Sequence, residues 1–178
     1  MEPIPTDGLM SRRAALALAG AAGLLAGAGR QPADPEPPRL LVAFVLRHAE
    51  AAGSQQDPSL SADGRERADR VGRMLRSVAP ERVMHSVTNR ARETAQRIAR
   101  AAGVGTGSYD MFDPEPAMSR IVKAGGVWVV VGHSNTVPDL VKRLGGDARI
   151  DVLPESAYDR IYLVIRVGEG SMTIPLHS

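Results

Sequence analysis

Two apolar runs constrain this chain more than any other feature: Leu40-Leu41-Val42-Ala43-Phe44-Val45-Leu46 and Val127-Trp128-Val129-Val130-Val131. Neither run alternates with polar residues, so each reads as a strand covered on both faces, as in a mainly parallel sheet flanked by helices. Each also delivers a histidine just past its last apolar residue, His48 after Arg47 and His133 after Gly132. Ligands of such sheets gather outside the carboxyl ends of the strands. Two histidines placed there, with an arginine beside the first, suit an anion.

The chain has 178 residues, enough for one domain with its own core. Its formal charge is +2, and no block of Lys or Arg interleaved with aromatics suggests a nucleic-acid surface. The absence of cysteine excludes disulfides, thiolate nucleophiles and Cys-ligated zinc. At the N-terminus, Arg12-Arg13 precede a moderately apolar stretch that ends in Ala26-Gly27-Ala28. Residues 1–28 read as a twin-arginine-like signal peptide, with an uncleaved membrane anchor or an amphipathic tail as the competing reading. Residues 29–39 carry four prolines and read as a linker. The expected domain spans residues 40–178, exported to a periplasmic or extracellular location, with no stable membrane insertion once the signal is removed.

Helical and strand patterns alternate along that domain. Ser61 is a candidate N-cap for a helix to about Val78, its stripe formed by Ala68, Val71, Leu75 and Val78. A short strand follows at Arg82–His85, then a helix capped by Thr88 or Asn89 and closed by Gly103. The stretch Val104 to Ala117 is turn-rich, with a short helix over Met118–Lys123. After the second apolar run comes a helix from about Pro138 to Leu144, then Arg160–Val167 and Ser171–Leu176, which read as a hairpin or two edge strands. The pattern predicts an α/β fold, a three-layer α/β/α sandwich with a mainly parallel central sheet in a single domain.

Three strand ends carry the chemistry: Arg47-His48, the Ser86-to-Arg90 segment, and Gly132-His133-Ser134. Arg90 falls in the first turn of a helix, where its fork and the free N–H groups both favour an anion. His85 and His177 read as structural or surface residues, and Trp128 as core filling.

Taken together, Arg47-His48-Ala49-Glu50, Leu60-Ser61-Ala62-Asp63-Gly64, Ser86-x-x-x-Arg90-Ala91-x-x-Thr94-Ala95 and Gly132-His133-Ser134 resemble the histidine phosphatase superfamily, the phosphoglycerate-mutase-like group. Ala49 stands where that family usually has glycine. The resemblance implies a metal-independent phosphatase that hydrolyses a phosphomonoester or a phosphohistidine through a phosphohistidine intermediate. In it His48 is the nucleophile, Arg47 and Arg90 clamp the phosphoryl oxygens, His133 stabilises the transferring group and Ser134 adds a donor. For the leaving-group acid, spacing favours Glu115, with Asp113, Asp110, Glu50 or no acid as alternatives. No metal and no cofactor is expected. The partner is a small phosphorylated substrate or a phosphohistidine protein. A mutase-type phosphotransferase and a catalytically idle phosphate-binding module are the competing functions.

Overall fold

Strand β1 (Leu40–Arg47) takes the centre of a six-stranded sheet because it is apolar on both faces. The computed structural model describes residues 39–178, so the signal and linker readings of residues 1–38 lie outside the described residues. The chain continues through α1 (Ala62–Leu75), β2 (Arg82–Ser86), α2 (Asn89–Ala102), β3 (Gly105–Tyr109), α3 (Glu115–Ala124), β4 (Gly126–Gly132), α4 (Val137–Arg143), β5 (Arg160–Val167) and β6 (Gly170–His177). The sheet order is β3-β2-β4-β1-β5-β6, parallel from β3 to β1 and antiparallel at β5 and β6.

Alternation along β1 builds two cores. Leu41, Ala43 and Val45 pack with Met118 and Ile121 of α3, with Leu140 and Val141 of α4 and with Leu144 just past its end. Phe44 and Leu46 face the other way, with Val71 and Leu75 of α1 and Ala91, Ala95 and Ile98 of α2. The result is the three-layer α/β/α arrangement in one domain. Burying each large aliphatic side chain in these layers contributes roughly 1.5–3 kcal/mol before the entropy of ordering is set against it. Among the described residues, no helix is long and apolar enough to cross a membrane.

The expected elements hold, with three changes. Ser61 caps α1 by accepting the Gly64 N–H, but the α-helix stops at Leu75 and a 3₁₀ turn covers Arg76–Val78. The turn-rich stretch contains β3, which Gly105 and Gly107 hid from any propensity argument. It forms all the same, because the edge of β2 offers a complete ladder and Tyr109 buries its ring and donates its hydroxyl to the Val131 carbonyl at 3.0 Å. Finally, α3 begins at Glu115, not Met118, since Pro116 is tolerated within the first turn of a helix.

The register decides where function collects. Arg47 pairs with Gly132 and His85 with Val131, so His48, Ser86 and His133 leave the sheet side by side. Strand β5 runs antiparallel, Leu46 opposite Ile161, so the segment that enters β5 arrives at that same edge.

Candidate active site

Both strand-end histidines are buried, at 4% and 5% exposure, and their rings meet edge-on with centroids 5.1 Å apart. The backbone fixes them first. The His48 N–H donates to the Gly132 carbonyl at 2.9 Å, tying one histidine loop to the other. Gly132 is required here: a Cβ would stand 2.7 Å from Leu140 Cδ1 and 2.9 Å from Thr136 Oγ1. The Thr136 hydroxyl in turn accepts the His133 N–H at 2.9 Å. The N-terminus of α4 starts beside His133, and its Thr136 and Val137 N–H groups are spent on the His133 carbonyl.

The hydrogen bonds of His48 settle its tautomer. The Arg90 Nε–H donates to His48 Nε2 at 3.0 Å, which leaves Nε2 unprotonated, and Nδ1 then donates to the Ala49 carbonyl at 2.8 Å. Burial holds the His48 imidazole at a pKa of about 3, with His133, Arg90 and Arg47 adding repulsion. Burial and the same two arginines hold His133 at about 4. Both rings are therefore neutral at physiological pH in the unliganded protein; a cationic His133 requires an anion beside it. Ser86 Oγ and His133 Nε2 share a hydrogen bond of 2.8 Å, giving the second histidine its own anchor.

The two arginines flank the pair, and each is met by a carboxylate. Arg47 is buried, lies 4.2 Å above the centre of the Tyr158 ring, and donates to the Glu155 carbonyl at 2.7 Å and the Glu155 carboxylate at 3.0 Å. Its Nε is buried with no hydrogen-bond partner among the described residues. Arg90 lies 3.6 Å from Asp57, whose carboxylate also accepts the Asn89 N–H at the start of α2. Thus the first N–H of α2 is engaged by Asp57, and that of Ala91 by the capping Thr88 hydroxyl. Ser134 donates to Glu155 Oε1 at 3.4 Å.

Arg47, His48, Arg90, His133 and Ser134 thus come together at one sheet edge. The expected acid does not join them. Glu115 opens α3 and is paired with Arg143 of α4 at 2.5 Å. Asp110 folds back to accept the Phe112 N–H, and Asp113 is exposed. Glu50 pairs with Arg67 at 2.7 Å, and the hydrogen bond from Arg67 holds its carboxyl below the ordinary value despite partial burial. His85 is buried on the Ser86 carbonyl, while His177 pairs with Asp159. The carboxylates at the site are Asp57 and Glu155, and neither they nor Tyr158 were singled out from the sequence. The place of the latter two follows from β5 running antiparallel, which the sequence does not encode: such a strand brings its approach loop to the edge where parallel strands end.

Residues 43–111 match the histidine phosphatase superfamily (branch 1). Comparison with the curated proteins gives no match. Among solved structures, the protein histidine phosphatase SixA complexed with tungstate is similar with a TM-score of 0.61 at 17% identity, over 77% of this chain and 97% of that one. A protein assigned as phosphohistidine phosphatase SixA from Agrobacterium tumefaciens has a TM-score of 0.56 at 20% identity, over 74% and 97%. The mycobacterial glucosyl-3-phosphoglycerate phosphatase complexed with VO3 follows at 0.54 and 14% identity, over 72% and 97%. Over residues 43–111 the chain is thus similar in sequence to the histidine phosphatase superfamily (branch 1), and its fold is that of the solved structures it resembles.

Proposed function

We propose that this protein is a phosphatase that transfers a phosphoryl group to His48 Nε2 and then to water. One observation carries the reading: Nε2 is held unprotonated by the Arg90 Nε–H on one side and the Nδ1 bond to Ala49 on the other. A neutral imidazole whose lone pair is oriented at the end of a buried strand becomes the nucleophile once the Arg90 Nε–H leaves Nε2 for the arriving phosphoryl oxygens. Arg47 and Arg90 turn to the non-bridging phosphoryl oxygens as these displace Glu155 and Asp57. His133, anchored by Ser86, takes up a proton as the anion arrives and stabilises the charge of the transferring group. The two guanidinium forks and His133 supply the positive charge that phosphoryl transfer needs, so the reaction as proposed requires no metal. The substrate is a phosphomonoester or a phosphohistidine, the latter class supported by the SixA-like structures. Residues 1–28 are proposed as an export signal, which a reporter fused to residues 1–35 tests by its compartment.

The deciding experiment is rapid-quench labelling with an aryl phosphate in metal-free buffer. The expected result is an acid-labile, alkali-stable phosphoryl adduct on the wild type, absent in His48→Ala, with steady release of inorganic phosphate. An adduct of equal yield in His48→Ala would remove His48 from the role. Return of the phosphoryl group to a second substrate molecule in place of water would mark a mutase.

A further inference from the structure

The site as described has a nucleophile and two clamps but no acid for the leaving group. The segment entering β5 supplies one. Glu155 Oε2 lies 3.0 Å from Arg47 Nη2 and Oε1 lies 3.4 Å from Ser134 Oγ, so one carboxylate spans the residues next to His48 and His133. Its backbone is held firmly on both sides. Leu153, 1% exposed, donates its N–H to the Ser134 carbonyl at 2.9 Å, and the Ala157 N–H closes the turn on Pro154. Tyr158 stacks on Arg47, donor to its hydroxyl, with its ring centroid 6.2 Å from that of His48. The side chain itself is 85% exposed, free to leave Arg47 and to exchange protons with water. Asp57, the other carboxylate at the site, has both oxygens within 3.2 Å of the Asn89 N–H and holds that helix start.

Resting on the phosphatase reading above, we propose that Glu155 is the proton donor to the leaving group, and that the substrates include alkyl phosphomonoesters, whose alkoxides leave poorly without one. The ester enters as the monoanion and displaces the Glu155 carboxylate from Arg47. Two anions side by side share a proton, and the substrate's proton passes to Glu155. The His48 Nε2 lone pair forms the N–P bond while the ester O–P bond breaks, and Glu155 returns the proton to the leaving oxygen, releasing the alcohol. Glu155, again a carboxylate, then accepts a proton from the water that attacks phosphorus. The N–P electron pair goes back to Nε2, and the proton leaves with inorganic phosphate.

The test compares 4-nitrophenyl phosphate, with its good leaving group, and glycerol 2-phosphate, with its poor one, using the full chain. Glu155→Gln keeps an acceptor for Arg47 but cannot donate an acidic proton. Expected is a loss of about 100-fold or more in kcat on glycerol 2-phosphate and of less than about threefold on 4-nitrophenyl phosphate. His48→Ala loses both activities. Equal losses on the two esters in Glu155→Gln, no loss on either, or the selective loss appearing instead in Glu115→Gln or Asp57→Asn would overturn the assignment while leaving the phosphatase standing. Full activity in His48→Ala would overturn the phosphatase reading, and turnover of neither ester by the wild type would overturn both.

Discussion

The Thr94 hydroxyl accepts the Ala49 N–H at 3.0 Å and donates to the Arg90 carbonyl at 2.8 Å. One buried hydroxyl thereby locks the loop after His48 to the helix that carries Arg90. Thr94→Val keeps the shape but orphans a buried N–H, which costs about 1–3 kcal/mol. The expected result is a lowered urea midpoint together with a kcat loss on 4-nitrophenyl phosphate, both restored by Thr94→Ser. A valine variant as active and as stable as the wild type would break this link.

Arg90 uses its Nε, not a terminal nitrogen, to hold His48. A lysine has no equivalent fork, so Arg90→Lys loses both the His48 contact and bidentate binding of phosphoryl oxygens. The expected fall in kcat/KM is about 100-fold, with weaker inhibition by tungstate. Unchanged tungstate inhibition in the lysine variant would separate Arg90 from the anion.

Two buried neutral histidines make stability depend on pH. Unfolded, each takes a proton near 6.5; folded, they resist until about 3 and about 4. The unfolded chain therefore binds more protons between these limits, and stability falls as pH drops below about 6.5. By pH 5 the loss reaches up to about 2 kcal/mol per histidine. Urea midpoints near pH 7 and pH 5 measure it, and His133→Asn should flatten the dependence. The lowered carboxyls of Glu50 and Asp159 act in a different window, below their ordinary range. The same shifts predict no loss of kcat/KM near pH 6.5 from protonation of His48.

Gly64 lets the start of α1 pack against the backbone of Glu50, two residues after His48. A Cβ there would stand 2.1 Å from the Glu50 carbonyl oxygen, a backbone atom with little room to retreat. Gly64→Ala is expected to cost about 1–3 kcal/mol by overpacking, read as a lowered melting temperature. Its effect should reach His48 through Glu50, whose carbonyl accepts the Ser61 N–H at 2.9 Å. A melting temperature equal to the wild type's would show that the loop yields freely.

The central layer was readable because β1 and β4 are apolar on both faces, a pattern with few other uses. Arg47, His48, Arg90 and His133 were readable because parallel strands send their ends to one edge. Strand β3 was not, since two of its five residues are glycine and its stability comes from β2 and from Tyr109. Glu155 and Tyr158 were hidden for a different reason. Their place depends on β5 running against β1, and nothing in Arg160–Val167 itself encodes that direction. Glu115 was favoured by its distance along the chain alone, and Arg143, 28 residues later, is what claims it.

The insertion of β4 between β1 and β2 also sets an order in time. Synthesis proceeds from the N-terminus, so β1 and β2 exist as chain long before the strand that joins them. Until Gly126–Gly132 has been made, His48 has neither the carbonyl that orients its backbone nor the ring it faces. Pairings this distant in sequence close late and slowly. A truncated nascent product therefore carries His48 without the neighbours that order it, and the pairing of the two histidines forms only once β4 has been made.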